Sequence, residues 1–163
     1  MLELTHSDVM GYFDPPSLGK AKFVLTFLGD YSRFATVRFL KSKAEVSQHV
    51  NQYREMNENK FGAKMRKFKT DDGGEYAGKG FEDTLKEHGI EHITSCPRCP
   101  GQNGRSERLN RTLMEMTRCM LLESGAPKIF WAEAINTACY IKKRCPTRAI
   151  NNKIPITLGK TEN

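Results

Sequence analysis

The sequence predicts an α/β fold in which a five-stranded mixed sheet, three antiparallel strands plus two parallel ones, is flanked by helices. Apolar segments with short connections follow one another near the N-terminus, which is typical of an antiparallel meander. Two later strand segments alternate with helical ones, which favours parallel pairing. Two long segments with helical periodicity come last. Together these observations indicate a sheet with helices on both faces.

The meander begins with residues 2–10, in which apolar positions flank a polar group that includes Asp8. A proline-rich turn follows at 14–20, and the near-continuous apolar segment 23–28 is the second strand. Residues 33–40 alternate in polarity and form the third strand. We therefore expect Asp8 to lie within a strand, at a position where a core residue could sit.

Helices and strands alternate after the meander. Ser42, with Glu45 three residues later, has the pattern of a capping box and predicts a helix that ends at Gly62. The remaining predicted elements are a strand at 65–70, a helix closed by Gly89, a strand at 90–94, a loop at 95–104, a helix that ends near Glu123 and a last helix from Phe130 to Ile141.

The composition is that of one folded domain with an excess of basic residues. A chain of 163 residues is long enough for a core, and 38% hydrophobic with 28% charged residues is typical of a globular protein. We assign residues 1–158 to the domain and 159–163 to a tail, a candidate for disorder. The net charge of +7 suggests a polyanionic partner such as nucleic acid. A charge that only maintains solubility is the alternative.

Secretion and membrane insertion are not expected. No apolar segment approaches the roughly 18 residues that span a bilayer, and the N-terminus lacks the pattern of a signal peptide. The five cysteines are odd in number and too sparse for a disulfide framework, which favours a reducing compartment. We therefore expect an intracellular protein without a membrane partner.

Three carboxylates are candidates for a shared site. Asp8 lies on the first strand, Asp71 follows the fourth, and Glu107 begins the long helix. If these two strands are parallel neighbours, both aspartates project side by side and the helix can lay Glu107 across them. Such a cluster needs hard cations such as Mg²⁺ or Mn²⁺, and two ions about 4 Å apart can promote phosphoryl transfer. Taken alone, Glu107 among arginines is more typical of an ion pair at a helix start.

Six motifs follow one another along the chain: HSDVMG at 6–11, DYSR at 30–33, TDDGGEY at 70–76, QNGRSERLNRT at 102–112, FWAEA at 130–134 and RCPTRA at 144–149. Together they resemble the integrase catalytic core of copia-type LTR retrotransposons, a family within the retroviral integrase superfamily. Thirty-five residues separate Asp71 from Glu107, which is the spacing of that family's D,D-35-E signature. The resemblance covers most of the chain.

The resemblance implies an RNase H-like fold and metal-dependent DNA strand transfer, in which 3′-hydroxyl ends of element cDNA attack target DNA by phosphodiester transesterification. It gives Asp8, Asp71 and Glu107 the catalytic and metal-ligand roles, with two Mg²⁺ or Mn²⁺ ions. It also implies DNA and a second copy of the chain as partners. The expected location is the nucleus at the time of integration, or a cytoplasmic virus-like particle.

Basic and polar residues near the acids are candidates for contact with DNA: Lys69, Arg98, Gln102, Asn103, Arg105, Arg108 and Arg111. Arg111 lies one helical turn beyond Glu107, so an ion pair between these two residues is an equal alternative. Large apolar residues on the last two helices are interpreted as core or dimer packing: Met116, Met120, Phe130 and Trp131.

Two further clusters have competing interpretations. Asp72 and Glu75 are alternative acids close to Asp71, but in the family that the chain resembles the first aspartate of this cluster is the ligand. Asp72 is therefore expected to cap the turn, and Asp14 and Asp30 are also interpreted as turn residues. A second cluster, His88, His92, Cys96 and Cys99, has a spacing that can hold Zn²⁺. Since a proline follows each cysteine and restricts the backbone, we do not predict structural zinc, and we interpret the cysteines as loop residues able to pair under oxidation.

Two rival functions stay open at this point. A transposase or nuclease of the same fold would use the same acids, and it would yield hydrolysis without a joined product. A domesticated core, kept for DNA binding or dimerisation, would bind DNA without catalysis. The intact set of three acids disfavours the second rival.

Overall fold

A five-stranded sheet runs through the molecule, and helices cover both of its faces. The computed structural model describes residues 2–71, 73–76, 79–95 and 104–158. The strands are β1 (Leu4–Gly11), β2 (Phe23–Gly29), β3 (Ala35–Leu40), β4 (Lys67–Thr70) and β5 (Glu91–Thr94). The helices are α1 (Val46–Phe61), α2 (Lys79–Glu87), α3 (Gly104–Ser124), α4 (Trp131–Lys142) and α5 (Pro155–Leu158), and single 3₁₀ turns lie at Lys43–Glu45, Lys128–Phe130 and Arg148–Ile150.

The strands lie in the order β3-β2-β1-β4-β5. β2 pairs antiparallel with both β1 and β3, while β4 pairs in parallel with both β1 and β5. The predicted sheet of three antiparallel strands plus two parallel ones is therefore confirmed, with β1 at its centre. The central position of β1 gives it β4 as a parallel neighbour.

Two hydrophobic clusters fill the two sides of the sheet. On one side, Phe27 and Phe68 pack with residues of α1 and α2 such as Val50. On the other side, Val24 packs with residues of α3 and α4 such as Leu113. Successive residues of β2 alternate between the clusters, which explains why this strand is apolar almost throughout. None of the helices in the described ranges is long and apolar enough to cross a membrane.

The predicted capping residues act at the 3₁₀ turn that leads into α1, whereas α1 itself begins without a side-chain cap. The Ser42 side chain accepts a hydrogen bond from the backbone N–H of Ala44, as expected of a cap. The Glu45 carboxylate accepts from the backbone N–H of Lys41, one residue before the expected partner. Gly62 ends α1 with a φ of +59°, which confirms the predicted C-terminal glycine.

Two segments differ from their predicted structure. Residue 33 is expected in a strand, but Arg33 has a φ of +56° and its N–H donates to the Gly29 carbonyl, so β3 begins only at Ala35. The segment after α4 has no predicted structure. A bridge between Thr147 and Lys153 closes it, and α5 follows with a buried proline, Pro155, at its first position. The predicted tail at 159–163 lies outside the described residues.

The large apolar residues of the last two helices divide between core and surface. Trp131 is buried: its ring stacks on Phe13 at 4.3 Å between centroids, and its Nε1–H donates to the Pro15 carbonyl at 3.0 Å. Met116 and Met120 are partly buried against the same cluster. Phe130 keeps 38% of its surface exposed. The core interpretation is confirmed most clearly for Trp131.

Substitution of Leu113 by Ala should lower the free energy of unfolding by about 2–5 kcal/mol, because this side chain is fully buried between α3 and the sheet. Leu122→Ala is the matched control on the same helix, since Leu122 is 76% exposed and should change stability little. Urea denaturation measures both variants. Equal losses for the two variants would contradict this placement of α3.

Candidate active site

Asp8 lies on β1 and Asp71 directly follows β4, the parallel neighbour of β1 at the centre of the sheet. β1 and β4 pair in a register that matches Leu4 with Lys67 and His6 with Lys69. Continuing this register by two residues brings Asp8 beside Asp71, just beyond the end of β4. The structure thus brings together two of the three predicted acids.

The Asp8 carboxylate is held from two sides. One oxygen, Oδ1, accepts the backbone N–H of Val9 at 2.8 Å, and the other, Oδ2, accepts the side-chain Nδ2–H of Asn110 at 2.7 Å. Burial and the charge of Asp71 raise the pKa of Asp8 from 3.8 to about 6. Glu75 and Glu107 raise this pKa further, and the Val9 N–H opposes the rise. The site therefore disfavours the ionised form of Asp8 unless positive charge is added.

Glu75 lies near this site, although the resemblance gives it no ligand role. Its carboxylate is 8% exposed and pairs with the Lys43 ammonium at 3.2 Å. The pKa of Asp71 is raised by burial and by Glu75, and it is lowered by the Gly73 N–H and by Lys43. Because Glu75 affects the pKa of both aspartates, it is a fourth acid near the candidate site. The sequence shows only that Glu75 follows Asp71 by four residues, which does not predict this contact.

Glu107 lies in the first turn of α3 and its side chain is exposed. Of the three carboxylates that raise the pKa of Asp8, Asp71 has the largest effect and Glu107 the smallest. Among the residues that the structure describes, no three His, Cys, Asp or Glu side chains already form a metal-holding group. The structure thus places Glu107 at the edge of the aspartate pair, not in close contact with it.

The alternative ion pair between Glu107 and Arg111 is not formed. No basic side chain in the described ranges pairs with Glu107, and Arg111 is exposed. Arg108, also exposed, donates its Nε–H to the Gly104 carbonyl at 2.9 Å. Both arginines therefore keep their charges available to a partner.

Asn110 links α3 to β1 and β2, and sequence reasoning missed it. The residue is 8% exposed, and its side chain contacts the Asp8 carboxylate and the Thr26 hydroxyl, the latter at 3.1 Å. Thr26 is also the register partner of Asp8 across β1 and β2. Asn110 lies three residues after Glu107, on the same side of the helix, and that spacing was the available indication.

A buried tyrosine fixes the turn that carries Glu75. Tyr76 is 1% exposed, and its hydroxyl lies 3.0 Å from the Ser7 hydroxyl on β1. Burial raises the pKa of Tyr76 well above its usual value, so the phenol stays neutral. This hydrogen bond ties the 73–76 turn to the residue that precedes Asp8.

Arg105 and Asp30 form a second anchor for the start of α3. Asp30 accepts a hydrogen bond from His6 Nε2 at 2.6 Å and forms an ion pair with Arg105. Burial and the charges of Arg105 and Lys69 lower the pKa of His6 to about 4, so the ring is neutral at pH 7 and donates as the Nε2–H tautomer. Asp30, interpreted as a turn residue, is therefore also a structural acceptor. Arg105 is engaged here, while its role toward DNA stays a prediction.

The other predicted residues are only partly described. Lys69 lies on β4 and is partly exposed. Arg98, Gln102 and Asn103 lie outside the described residues, as do Asp72, Cys96 and Cys99. The two histidines of the zinc pattern make local contacts: His92 Nε2 lies 2.9 Å from the Thr70 hydroxyl, and His88 Nδ1 lies 2.8 Å from the Thr84 carbonyl. The interpretation without zinc stays a prediction.

A family model described as the integrase core domain matches residues 2–100. The chain belongs to the integrase core domain family. The match includes Asp8 and Asp71 and ends before Glu107. An integrase core has the mixed sheet and flanking helices seen here, so the resemblance predicted from the six motifs is confirmed at the level of the family.

Curated relatives extend the similarity over nearly the whole chain. The retrovirus-related Pol polyprotein from transposon TNT 1-94 of Nicotiana tabacum is 39% identical over 155 residues, which are 95% of this chain and 12% of the relative. The Pol polyprotein from transposon RE2 of Arabidopsis thaliana is 31% identical over 156 residues, 94% of this chain and 10% of the relative. This integrase core therefore spans about a tenth of the length of these polyproteins and is similar to copia-type retrotransposon integrases.

Solved retroviral structures share the RNase H-like fold of this integrase core. A chain of the simian T-cell lymphotropic virus intasome, in complex with the PP2A regulatory subunit B56 gamma, matches with a TM-score of 0.77 and 15% identity, over 99% of this chain and 55% of that chain. The HTLV-2 integrase catalytic core in complex with magnesium, in its trimeric form, matches with a TM-score of 0.68 and 18% identity, over 96% of this chain and 95% of that chain. The predicted fold class is confirmed.

The thermal unfolding midpoint of metal-free Asp8→Asn should rise relative to that of wild type between about pH 4 and about pH 7.5, because the variant holds no charge beside Asp71. The loss of one acceptor for the Val9 or Asn110 N–H is the same at every pH. The pKa of Asp8 is 3.8 when unfolded and about 6 when folded, so the cost of its ionised form is full above about pH 6 and absent below about pH 4. The gain should therefore disappear as pH falls through this window. Scanning calorimetry across the window measures it.

Asp83→Asn, at an exposed acid on α2, is the matched control and should show no such pH-dependent gain. His6 titrates in the opposite sense, since its folded pKa is lowered to about 4, but it does so equally in all three proteins. A constant difference between Asp8→Asn and wild type at every pH would contradict the assigned environment of Asp8.

Proposed function

We propose that this integrase core catalyses metal-dependent DNA strand transfer, in which the 3′-hydroxyl ends of element cDNA are joined to target DNA by phosphodiester transesterification. The observation that carries the proposal is the placement of Asp8 on β1 beside Asp71, which directly follows the parallel strand β4, so that the charge of Asp71 disfavours the ionised form of Asp8. Glu107 lies at the edge of this pair, in the first turn of α3. We assign the two aspartates and Glu107 to catalysis.

The donor set fits hard divalent cations. All candidate ligands are carboxylate oxygens, which suit Mg²⁺ or Mn²⁺, and burial of Asp8 beside Asp71 leaves negative charge that a cation would offset. We propose that Asp8, Asp71 and Glu107 would hold two such ions. When bound, the ions would activate the attacking hydroxyl and stabilise the leaving oxygen. The HTLV-2 core of similar fold was solved with magnesium.

The surrounding residues keep the acids in place for this role. The Val9 N–H and the Asn110 amide each hold one oxygen of Asp8, so its carboxylate has a single orientation. Lys43 pairs with Glu75 and limits the charge that this fourth acid adds near Asp71. Fixed donors of this kind lower the reorganisation needed when substrate binds.

DNA and a second copy of the chain are the proposed partners. The net charge of +7 and the exposed arginines Arg108 and Arg111, next to Glu107, favour a polyanionic substrate. The matched simian viral chain comes from an intasome, and the HTLV-2 core was solved in dimeric as well as trimeric forms. We infer a homodimer for this chain by analogy with those cores.

Glu107→Gln and Asp71→Asn should abolish strand transfer while the fold is retained, because each removes a charged ligand and leaves an isosteric amide. The loss should exceed the ~10–100-fold effect typical of a residue that only supports a ligand. The assay uses a branched oligonucleotide that mimics the joined product, with Mg²⁺ or Mn²⁺. In this substrate the 3′-hydroxyl and the phosphodiester lie in one molecule, so the reverse reaction needs less positioning by other regions of a polyprotein.

Glu115→Gln is the control for this assay, since Glu115 is an exposed acid on the same helix and should keep wild-type activity. Unchanged activity of Glu107→Gln would remove that residue from the site. Hydrolysis of the oligonucleotide without any joining of its strands would favour a nuclease or transposase. DNA binding without any reaction would favour a domesticated core.

Mg²⁺ should raise the thermal unfolding midpoint of the wild-type chain, since any ion that binds only the folded state stabilises it by mass action. Asp8→Asn and Asp71→Asn should remove most of this shift, while Asp83→Asn should retain it. Differential scanning fluorimetry over a range of Mg²⁺ concentrations measures the effect without DNA. A full shift in both aspartate variants would refute these two residues as the metal ligands.

A further inference from the structure

A cavity of about 390 Å³ lies beside the first turns of α3. Its walls come from the turn between β2 and β3, the first turns of α3 and the end of α4. Four basic side chains line it, and Leu28 and Leu109 form an apolar floor. The basic residues are Arg33, Arg105, Arg108 and Lys142. A cavity of this volume falls in the range of ligand sites.

The positive charge of the cavity is only partly balanced. Arg105 is paired with Asp30, which also accepts the hydrogen bond from His6. Within the described ranges, the other three basic side chains form no ion pair with any carboxylate. The cavity therefore combines three uncompensated positive charges with an apolar floor, and an anion bound there would lower the repulsion between them.

Arg33 is the residue that most needs an anionic partner. Its Nε atom is buried and has no hydrogen-bond partner among the described residues. Burial and the charge of Arg108 lower the pKa of Arg33, which shows that the two guanidinium groups oppose each other. An unpaired, partly buried guanidinium is costly unless a ligand supplies acceptors. The left-handed backbone of Arg33, with a φ of +56°, fixes where this side chain leaves the turn.

The chemistry of the lining suits a phosphate group. Guanidinium groups offer planar pairs of N–H donors that match phosphate oxygens, and Lys142 adds a point charge. Arg105, Arg108 and Thr112 recur at three- and four-residue spacing and so share one face of α3. Glu107 is the immediate neighbour of Arg108, with a Cα separation of about 3.8 Å. A nucleic-acid strand that reaches the acids therefore passes close to this cavity.

We propose that this cavity is a second phosphate site, in which Arg33, Arg108 and Lys142 hold a backbone phosphate of DNA away from the phosphodiester that reacts at the acids. The choice of DNA rests on the proposed function. A free phosphate compound has the same chemistry, and the experiment separates the two sources. By fixing a second point of the strand, the site sets the direction in which DNA leaves the start of α3.

The test measures DNA binding without metal, so that it does not depend on catalysis. Fluorescence anisotropy of a labelled duplex in EDTA, at several salt concentrations, compares the wild type with the double variant Arg33→Met, Lys142→Met. The matched control is Arg66→Met, Lys128→Met, which removes the same two charges at exposed positions outside the cavity. Circular dichroism and thermal unfolding check the fold of both.

The cavity variant should bind DNA on the order of tenfold more weakly than the control variant, since it no longer forms charged hydrogen bonds to a phosphate. The slope of log affinity against log salt should fall by about 0.9, the change expected when one phosphate is no longer neutralised. Equal affinity and equal slope for the two variants would overturn the proposal. If the double variant does not fold, Lys142→Met against Lys128→Met gives the same comparison.

A second arm adds tripolyphosphate or inorganic phosphate to the wild type and to the cavity variant. We expect the cavity variant to bind DNA more weakly and with the smaller salt slope given above. The free anions should raise the thermal unfolding midpoint of the wild type only slightly. DNA would be overturned as the ligand by two results together. Tripolyphosphate would strongly raise the thermal unfolding midpoint of the wild type but not of the cavity variant, and the two proteins would bind DNA with equal affinity. Failure of strand transfer would leave the anisotropy result intact, so the two proposals are separable.

Discussion

The parallel pairing of β1 with β4 is the constraint on which the rest of the candidate site depends. Two parallel strands in register present equivalent positions side by side, and this register brings Asp8 beside Asp71. A slip of one residue would turn one of these side chains to the opposite face of the sheet. The burial that holds the strands together is also what raises the pKa of Asp8. Folding itself thus creates the local need for positive charge.

Helix α3 connects this centre to the rest of the molecule through two different kinds of contact. Asn110 reaches the Asp8 carboxylate directly, whereas Arg105 is held by Asp30, the acceptor of His6 on the same strand as Asp8. The Asn110 contact fixes the distance of the helix from the sheet, and the Arg105 contact fixes the position of its first turn. Glu107 lies between these two anchors in the chain, so its position is determined without any ion pair of its own among the described residues.

The sequence was sufficient for the parts of the structure that depend on local pattern and strand order. The apolar meander and the alternating helices predicted the sheet, and that sheet placed Asp8 beside Asp71. The role of Glu75 could not be predicted, because it depends on how the turn folds back toward Lys43. Asn110 was hidden for a similar reason, since only the packed helix brings it to β1. Arg33 has the sequence pattern of a strand residue, but the turn at Gly29 determines its backbone.

Burial of α3 against the sheet has a consequence for how this domain can vary. Ile135 on α4 and Leu113 on α3 are both fully buried in one cluster with the sheet, remote in sequence from Asp8. A change of side-chain volume there would shift the helix that carries Asn110 and Glu107 together, because packed interiors transmit displacement. Apolar exchanges in this layer would therefore displace the candidate site while the fold persists. Under the proposed function, the presence of Asp8, Asp71 and Glu107 alone would not identify a working copy of this domain.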